Sequence, residues 1–261
     1  GSDAVRYWAA SARPGVDTAF SEDQMKVGRK LATKLLNATK FVLGAGDVSA
    51  DVVPTEPLDV AMLQRLSVVI NDATTAFETF DYARALERTE SFFWWFCDDY
   101  LELVKMRAYG TTDISASARA ALQRALSVMQ RLFAPHIPFA TEEVWSWWKQ
   151  NSIHLAQWPT VGEITGDTKH IDAFEMMLDS ACNVIGVIRR TKTEAKLSQR
   201  AEVEYTSVSA TDAQIALLKV CIGDLQNAGV VPAIEFVSHT AGDSVAHIAT
   251  TVRLAPVVDA K

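Results

Sequence analysis

Apolar residues recur at helical spacing through most of the first 150 positions of the chain. In the first such stretch they are spaced four, three and four residues apart, at Leu31, Leu35, Ala38 and Val42. This spacing places all four on one side of a helix. Ser21 followed by Gln24 is a capping-box pattern, which predicts that the helix begins there, and Gly44 stops it.

Three further long helices and one short helix are predicted before residue 160. The second helix spans residues 58–80, and the third follows a cap at Asp81 and carries the aromatic run "FFWWFCDDYLELVKM". Its aromatic residues are spread around most of the helix, as expected for an element packed on several sides. Residues 115–134 and 139–149 supply the remaining helices. Helices joined by short loops predict an α-helical bundle.

The pattern changes near residue 160, where Pro159, Gly162 and Gly166 interrupt it. The sequence then predicts a helix over 172–195, a strand over 201–208, a helix over 212–227 and two short strands over 233–237 and 245–252. The fold class is therefore mainly α: a helical bundle over 21–160 followed by a small α+β domain over 161–261.

Composition limits the kind of protein this can be. The chain has 261 residues, of which 49% are hydrophobic and 22% charged, enough for one or two domains with a core. Its apolar runs are far shorter than the roughly 20 residues that cross a bilayer, so we expect no membrane contact. Three scattered cysteines predict neither a disulfide framework nor a zinc site, and a cytoplasmic location is expected.

Positive charge is concentrated in one segment of an acidic chain. The formal net charge is -7, yet residues 26–41 carry five Lys or Arg and no Asp or Glu. Away from the apolar stripe, one side of the first helix carries Lys26, Lys30, Lys34, Asn37 and Phe41, flanked by Arg29 and Lys40. One interpretation is an ordinary solvated helix surface.

The other interpretation is a nucleic-acid surface. Ammonium groups one turn apart can follow phosphates, an Asn amide can pair with a base edge, and an aromatic ring can stack on a base for about 1–3 kcal/mol. A second basic cluster consists of Arg189, Arg190, Lys192, Lys196 and Arg200. Cations near a helix C-terminus are favourable without any ligand, so this cluster only supports the second interpretation.

No catalytic or metal site is predicted. The five histidines lie in separate segments without metal-ligand spacing, and no phosphate-binding glycine motif occurs. The adjacent carboxylates Asp98 with Asp99 and Glu142 with Glu143 point in different directions on a helix. The tryptophans of the bundle are interpreted as core residues rather than as a ligand pocket: Trp94, Trp95, Trp145, Trp147 and Trp148.

Several segments together resemble the valyl-tRNA synthetases, a family of class I aminoacyl-tRNA synthetases. "DAVRYWAASARPGVDTAF" is similar to the stretch that follows their KMSKS loop. "RKLATKLLNATKFVL", "FFWWFCDDYLELVK", "LFAPHIPFATEEVW" and "SIHLAQWP" resemble, in order, their anticodon-binding helical bundle. "IRRTKTEAKLSQRAEV" resembles the start of their small C-terminal domain.

The resemblance implies that the first bundle helix faces an anticodon loop. It implies tRNA-binding roles for the residues of that helix, Lys26, Arg29, Lys30, Lys34, Asn37, Lys40 and Phe41. Phe41 would stack on a base and Lys34 would supply a donor. Residues 1–20 would form the junction to a catalytic domain, with Arg6, Arg13 and Asp17 on the inner side of the tRNA.

The resemblance also implies that this chain binds tRNA, whereas catalysis takes place in another part of the parent enzyme. The sequence lacks the HIGH and KMSKS motifs, so this chain is expected to be an inactive tRNA-binding fragment without a cofactor of its own. ATP with Mg would be used by the parent enzyme, valine would be joined to valine tRNA, and the parent would be a monomer. Two alternatives stay open: the same module from a leucyl or isoleucyl enzyme, or a helical interaction protein with no RNA role.

Overall fold

The computed structural model describes residues 1–165, 171–239 and 248–255. The helices before residue 166 are α1 (Ser2–Ala10), α2 (Glu22–Gly44), α3 (Pro57–Glu78), α4 (Tyr82–Trp95), α5 (Leu101–Ala108), α6 (Asp113–Phe133), α7 (Pro138–Ser146) and α8 (Gly162–Thr165). A π-helical turn, Phe96–Tyr100, joins α4 to α5, and a 3-10 turn spans Ile153–Leu155. Among the described residues, no helix combines the length and apolar character needed to cross a membrane.

The remaining elements are α9 (Asp172–Glu194), β1 (Val203–Ala210), α10 (Asp212–Val220), α11 (Ile222–Gly229), β2 (Ile234–Ser238) and β3 (Ala249–Leu254). The strands form a sheet in the order β2-β1-β3, in which β1 is parallel to β2 and antiparallel to β3. The predicted fold class is therefore confirmed. The helix predicted over 212–227 is two helices that meet at Cys221, and residues 245–247 of the last predicted strand lie outside the described residues.

Helix α2 follows its sequence pattern closely. The Ser21 side chain accepts a hydrogen bond from the Gln24 backbone N–H at 3.2 Å, which caps the first turn. The predicted apolar stripe is buried: Leu31 and Leu35 are 0% exposed, and Ala38 and Val42 are also buried. The helix ends at Gly44 as predicted, and the following Gly46 has a φ of 110°, which a side chain would disfavour.

Helix α1, which the sequence pattern did not predict, packs directly on α2 at Gly28. A Cβ built at Gly28 would lie 2.6 Å from the Cβ of Tyr7. Tyr7 is buried, and its hydroxyl donates to Oε2 of Glu90 on α4 at 2.7 Å. The two helices therefore meet at a distance that only glycine permits.

We expect Gly28→Ala to destabilise the protein by about 1–3 kcal/mol, because the added methyl group must push Tyr7 out of its site. Gly186, inside α9, is the matched control, since a Cβ there meets no atom within 4 Å. Gly186→Ala should instead stabilise by up to about 1 kcal/mol through helix propensity. Urea unfolding followed by circular dichroism measures both. If both variants change the free energy of unfolding in the same direction, the close contact between Gly28 and Tyr7 does not determine the effect of the added methyl group.

The described residues fold into two compact units. The first takes its residues from Gly1–Pro54, Leu63–Cys97 and Arg119–Lys169, and the second from Thr55–Met62, Asp98–Ala118 and His170–Lys261. The core of the first unit includes Phe93 and Phe133, whose rings meet edge to face at 5.4 Å. The domain division near residue 160 stays a prediction.

The second unit contains a buried ionic network around Asp59, which is 0% exposed. Arg107 donates to both carboxylate oxygens of Asp59, at 2.8 and 2.9 Å, and its Nε donates to Asp224 at 3.0 Å. The hydroxyls of Tyr100 and Ser117 also donate to Asp59, each at 2.7 Å. Burial, together with the charge of Asp59, raises the pKa of Tyr100 well above its ordinary value. The network therefore joins α3, α5, α6 and α11.

Candidate nucleic-acid interface

The basic side of α2 lies opposite its buried stripe. Its exposed members are Lys26, Arg29, Lys30, Asn37 and Lys40, and its partly buried members are Lys34 and Phe41. We call these seven residues the α2 face. The predicted separation of the basic residues from the apolar stripe is thus confirmed. Asn37 presents its amide to solvent, whereas the ring of Phe41 is only partly accessible.

Several cations of the α2 face are not paired with a carboxylate among the described residues. Lys26 is paired: its Nζ lies 2.8 Å from Oδ1 of Asp23, and this hydrogen bond lowers the pKa of Asp23. In the part of the chain that the structure describes, no carboxylate pairs with Arg29, Lys30 or Lys40. An exposed ion pair such as Lys26 with Asp23 contributes little to stability. The face therefore offers charge that a polyanion can neutralise.

One edge of the α2 face meets the indole of Trp94 on α4. The Nζ of Lys34 lies 5.8 Å from the centroid of the Trp94 ring, within range of a cation–π interaction. The indole N–H of Trp94 donates to Oε1 of Glu90, four residues earlier on the same helix, at 3.0 Å. This hydrogen bond fixes the orientation of the ring beneath Lys34.

A second edge meets the indole of Trp147, directly after α7. The Nζ of Lys40 lies 5.9 Å from the centroid of its ring. The indole N–H of Trp147 donates to Oε1 of Glu143, again four residues earlier, at 3.0 Å. Two tryptophans held in the same way therefore border the α2 face.

The expectation that the tryptophans form the core is correct for Trp145 and wrong for Trp147. Trp145 is buried with Ala134 and Ile153, whereas Trp147 is 36% exposed. Two residues advance a helix by about 200°, so the two rings point to opposite sides. A Glu four residues before an amphipathic Trp was the sequence signal that could have identified the surface position.

Two of the three predicted junction residues share a groove. Arg13 and Asp17 line an open cavity of about 870 Å³ formed by α1, the segment after it, the start of α2 and α4. The Nε of Arg13 lies 3.4 Å from Oδ1 of Asp81. Arg6 is not among the residues that line this cavity; its guanidinium donates to the backbone oxygen of Pro135 at 2.9 Å. The structure brings Arg13 and Asp17 together but not Arg6.

Part of the second basic cluster is structural. Lys192 is 1% exposed, and its ammonium donates to the backbone oxygens of Gln199 at 3.1 Å and Gly229 at 2.7 Å. Burial lowers its pKa. Arg189 donates to the backbone oxygen of Asp98. These two cations are therefore used inside the second unit, and only the exposed members Arg190, Lys196 and Arg200 are accessible to a ligand.

Comparison with known proteins places the chain in a family. Residues 59–207 match the family model described as the anticodon-binding domain of tRNA ligase. The chain is 52% identical over 259 residues to the valine–tRNA ligase of Thermobifida fusca (strain YX), which covers 98% of this chain and 28% of the relative. It is 51% identical over 250 residues to the valine–tRNA ligase of Salinispora arenicola (strain CNS-205), covering 88% and 29%.

The chain thus spans less than a third of the length of these relatives. A solved ternary complex of the agnB2 LeuRS of Agrobacterium radiobacter K84 with tRNA and LeuAMS covers 62% of this chain and 20% of that chain, with a TM-score of 0.49 and 19% identity. The resemblance to the valyl enzymes is confirmed, and the alternative of a helical protein unrelated to tRNA ligases is wrong. Because the family model matches more than half of the chain, the chain belongs to the family of anticodon-binding domains of tRNA ligases.

Proposed function

We propose that this chain is the tRNA-binding part of a valine–tRNA ligase and that its α2 face holds the anticodon loop of valine tRNA. The observation that carries the proposal is the exposed positive charge of the α2 face in a chain of net charge -7, with Arg29, Lys30 and Lys40 unpaired among the described residues. A localised cationic surface on an acidic protein gives affinity for phosphates without attracting nucleic acid elsewhere. The relatives named valine–tRNA ligase support the choice of amino acid.

Within the α2 face the side chains divide into two roles. Lys26, Arg29, Lys30 and Lys40 neutralise phosphates, which gives affinity that falls as salt rises. Lys34 and Asn37 donate to base edges, and Phe41 stacks on a base with the accessible part of its ring. Single-stranded loops suit this mode of recognition because their bases can be splayed out.

The junction residues and the rest of the enzyme complete the proposal. Arg6, Arg13 and Asp17 contact the inner side of the tRNA and connect to the catalytic domain of the parent enzyme. Activation of valine with ATP and Mg, and transfer to tRNA, need catalytic motifs that this sequence does not contain. The chain by itself is then inactive and needs no cofactor. A cytoplasmic, monomeric parent enzyme is part of the same proposal.

Titration of labelled valine tRNA with the chain at two salt concentrations tests the proposal. We expect the logarithm of the affinity to fall with the logarithm of salt with a slope near -0.7 to -0.9 for each phosphate neutralised. Unlabelled leucine and isoleucine tRNAs should compete poorly, which separates a valine enzyme from its two nearest alternatives. Equal competition by all three tRNAs would contradict the choice of valine.

Lys34→Ala and Phe41→Ala should both weaken binding of valine tRNA, but in distinguishable ways. Loss of the Lys34 ammonium, which donates to a base edge, should cost several-fold in affinity and reduce the discrimination against leucine and isoleucine tRNAs. Loss of the Phe41 ring should cost about fivefold or more and leave the salt slope unchanged.

Lys219→Ala is the matched control, since it removes the same charge from an exposed residue of α10. It should leave the affinity within about twofold of the parent chain. If the Lys34 and Lys219 variants weaken binding equally, net charge alone accounts for the affinity, and the role of the α2 face is rejected.

A further inference from the structure

Trp147 is built to remain on the surface rather than to fill the core. Trp147 is 36% exposed, and its indole N–H donates to Oε1 of Glu143 at 3.0 Å. Among the described residues it makes no ring–ring contact, in contrast to Trp145 and Trp148, whose rings meet edge to face at 5.8 Å. A large flat ring kept in one orientation and left accessible carries a cost in solvation that a ligand can recover.

The charges around Trp147 identify the kind of ligand. Lys40 of the α2 face lies with its Nζ 5.9 Å from the ring centroid, at the outer limit of a cation–π interaction. An accessible π-face bordered by a lysine fits a ligand that combines a flat ring with negative charge. A nucleotide has this combination, whereas an apolar peptide does not.

We propose that the indole of Trp147 is a stacking platform for an unpaired nucleobase of the tRNA loop held by the α2 face. The Lys40 ammonium, which is only loosely placed over the ring, moves onto the phosphate of the stacked nucleotide. Glu143 keeps the ring edge fixed and directs the phosphate towards Lys40 by repulsion. This inference rests on the proposed function and adds a binding residue from α7 to a surface otherwise made by α2.

Trp147→Leu tests the proposal, because leucine keeps an apolar side chain but removes the π-face. We expect its dissociation constant for valine tRNA to rise about tenfold, equally at low and high salt, since stacking releases no counterions. Trp147→Phe should recover most of the affinity. The melting temperature should stay within about 2 °C of the parent chain, because the ring does not pack in the core.

Phe139→Leu is the matched control, since Phe139 lies on α7, the helix that Trp147 directly follows, and is 65% exposed. Among the described residues, no basic side chain is placed over its ring. This variant should bind as the parent chain does. If Trp147→Leu and Phe139→Leu weaken binding to the same extent, a general loss of apolar surface explains the effect, and the stacking role is overturned.

Abasic substitutions along the anticodon loop identify the partner. At one loop position, removal of the base should weaken binding to the parent chain about tenfold and have little further effect on Trp147→Leu. Additive losses at every position would overturn the proposal. If Lys34→Ala weakens binding while Trp147→Leu does not, only this inference fails. If the parent chain does not bind tRNA in a salt-dependent manner, the proposed function and this inference fail together.

Discussion

Replacement of Arg107 by methionine is expected to lower the free energy of unfolding by about 3–5 kcal/mol, the largest single effect that the structure predicts. Arg107 is buried, and its guanidinium is shared between Asp59 and Asp224. Burial disfavours the charged guanidinium, but the hydrogen bonds and charge of Asp59 outweigh this effect, so the pKa of Arg107 is raised. Methionine fills a similar volume but leaves two carboxylates buried without a cation.

The exposed pair Arg253 with Glu204 provides the control for Arg107. The Nε of Arg253 lies 3.1 Å from Oε2 of Glu204, yet both side chains are about half exposed or more. Arg253→Met should therefore cost less than about 1 kcal/mol. Urea unfolding monitored by circular dichroism compares the two variants. Equal losses would mean that the Asp59 network is no more important than a surface ion pair.

Acidification should destabilise the protein through His136, with a loss of about 3 kcal/mol between pH 7 and pH 4 from this residue alone. His136 is 3% exposed, its ring centroid lies 5.7 Å from that of Phe77, and its buried Nε2 has no hydrogen-bond partner among the described residues. Burial, helped by the positive charge of Arg6, lowers the pKa of His136 to about 4.

The sign of this effect follows from proton binding. Between the ordinary pKa of 6.5 and about 4, the unfolded chain takes up a proton that the folded protein refuses. Stability is therefore complete above pH 6.5 and falls as the pH decreases through this window. His136→Gln remains neutral, so its unfolding free energy should fall by about 3 kcal/mol less than that of the parent chain. If the unfolding free energies of the two proteins fall in parallel as the pH decreases, then His136 takes up its proton as readily in the folded protein as in the unfolded chain, which contradicts the prediction.

The local features of the first unit followed directly from the sequence. The cap at Ser21, the buried stripe through Leu31 and Leu35, and the end of α2 at Gly44 all lie where periodicity placed them. Each depends on residues within one or two turns, so the pattern along the chain contains the required information. The same holds for the exposure of Lys26 and Lys30, which follows from their position opposite the stripe.

The structural features that the sequence pattern predicted wrongly or did not predict depend on residues that are distant in sequence. The π-turn at Phe96–Tyr100 and the division of a predicted helix at Cys221 alter hydrogen bonding without an obvious change in periodicity. Lys192 belongs to a basic run, but Gly229, 37 residues away, accepts its hydrogen bond and makes it a structural residue. Charge counted along a sequence does not distinguish a cation that binds a ligand from one that binds the backbone.

By itself, the sequence determined that the protein is a helical bundle followed by a small α+β part, and that α2 carries a basic surface above an apolar stripe. Only the tertiary structure decided which aromatic residues border that surface. Trp94 and Trp147 reach it from α4 and from the end of α7, and their places depend on how those helices pack. The joining of Asp59, Arg107 and Asp224 was likewise decided by packing, because residues so far apart in sequence meet only when the chain has folded.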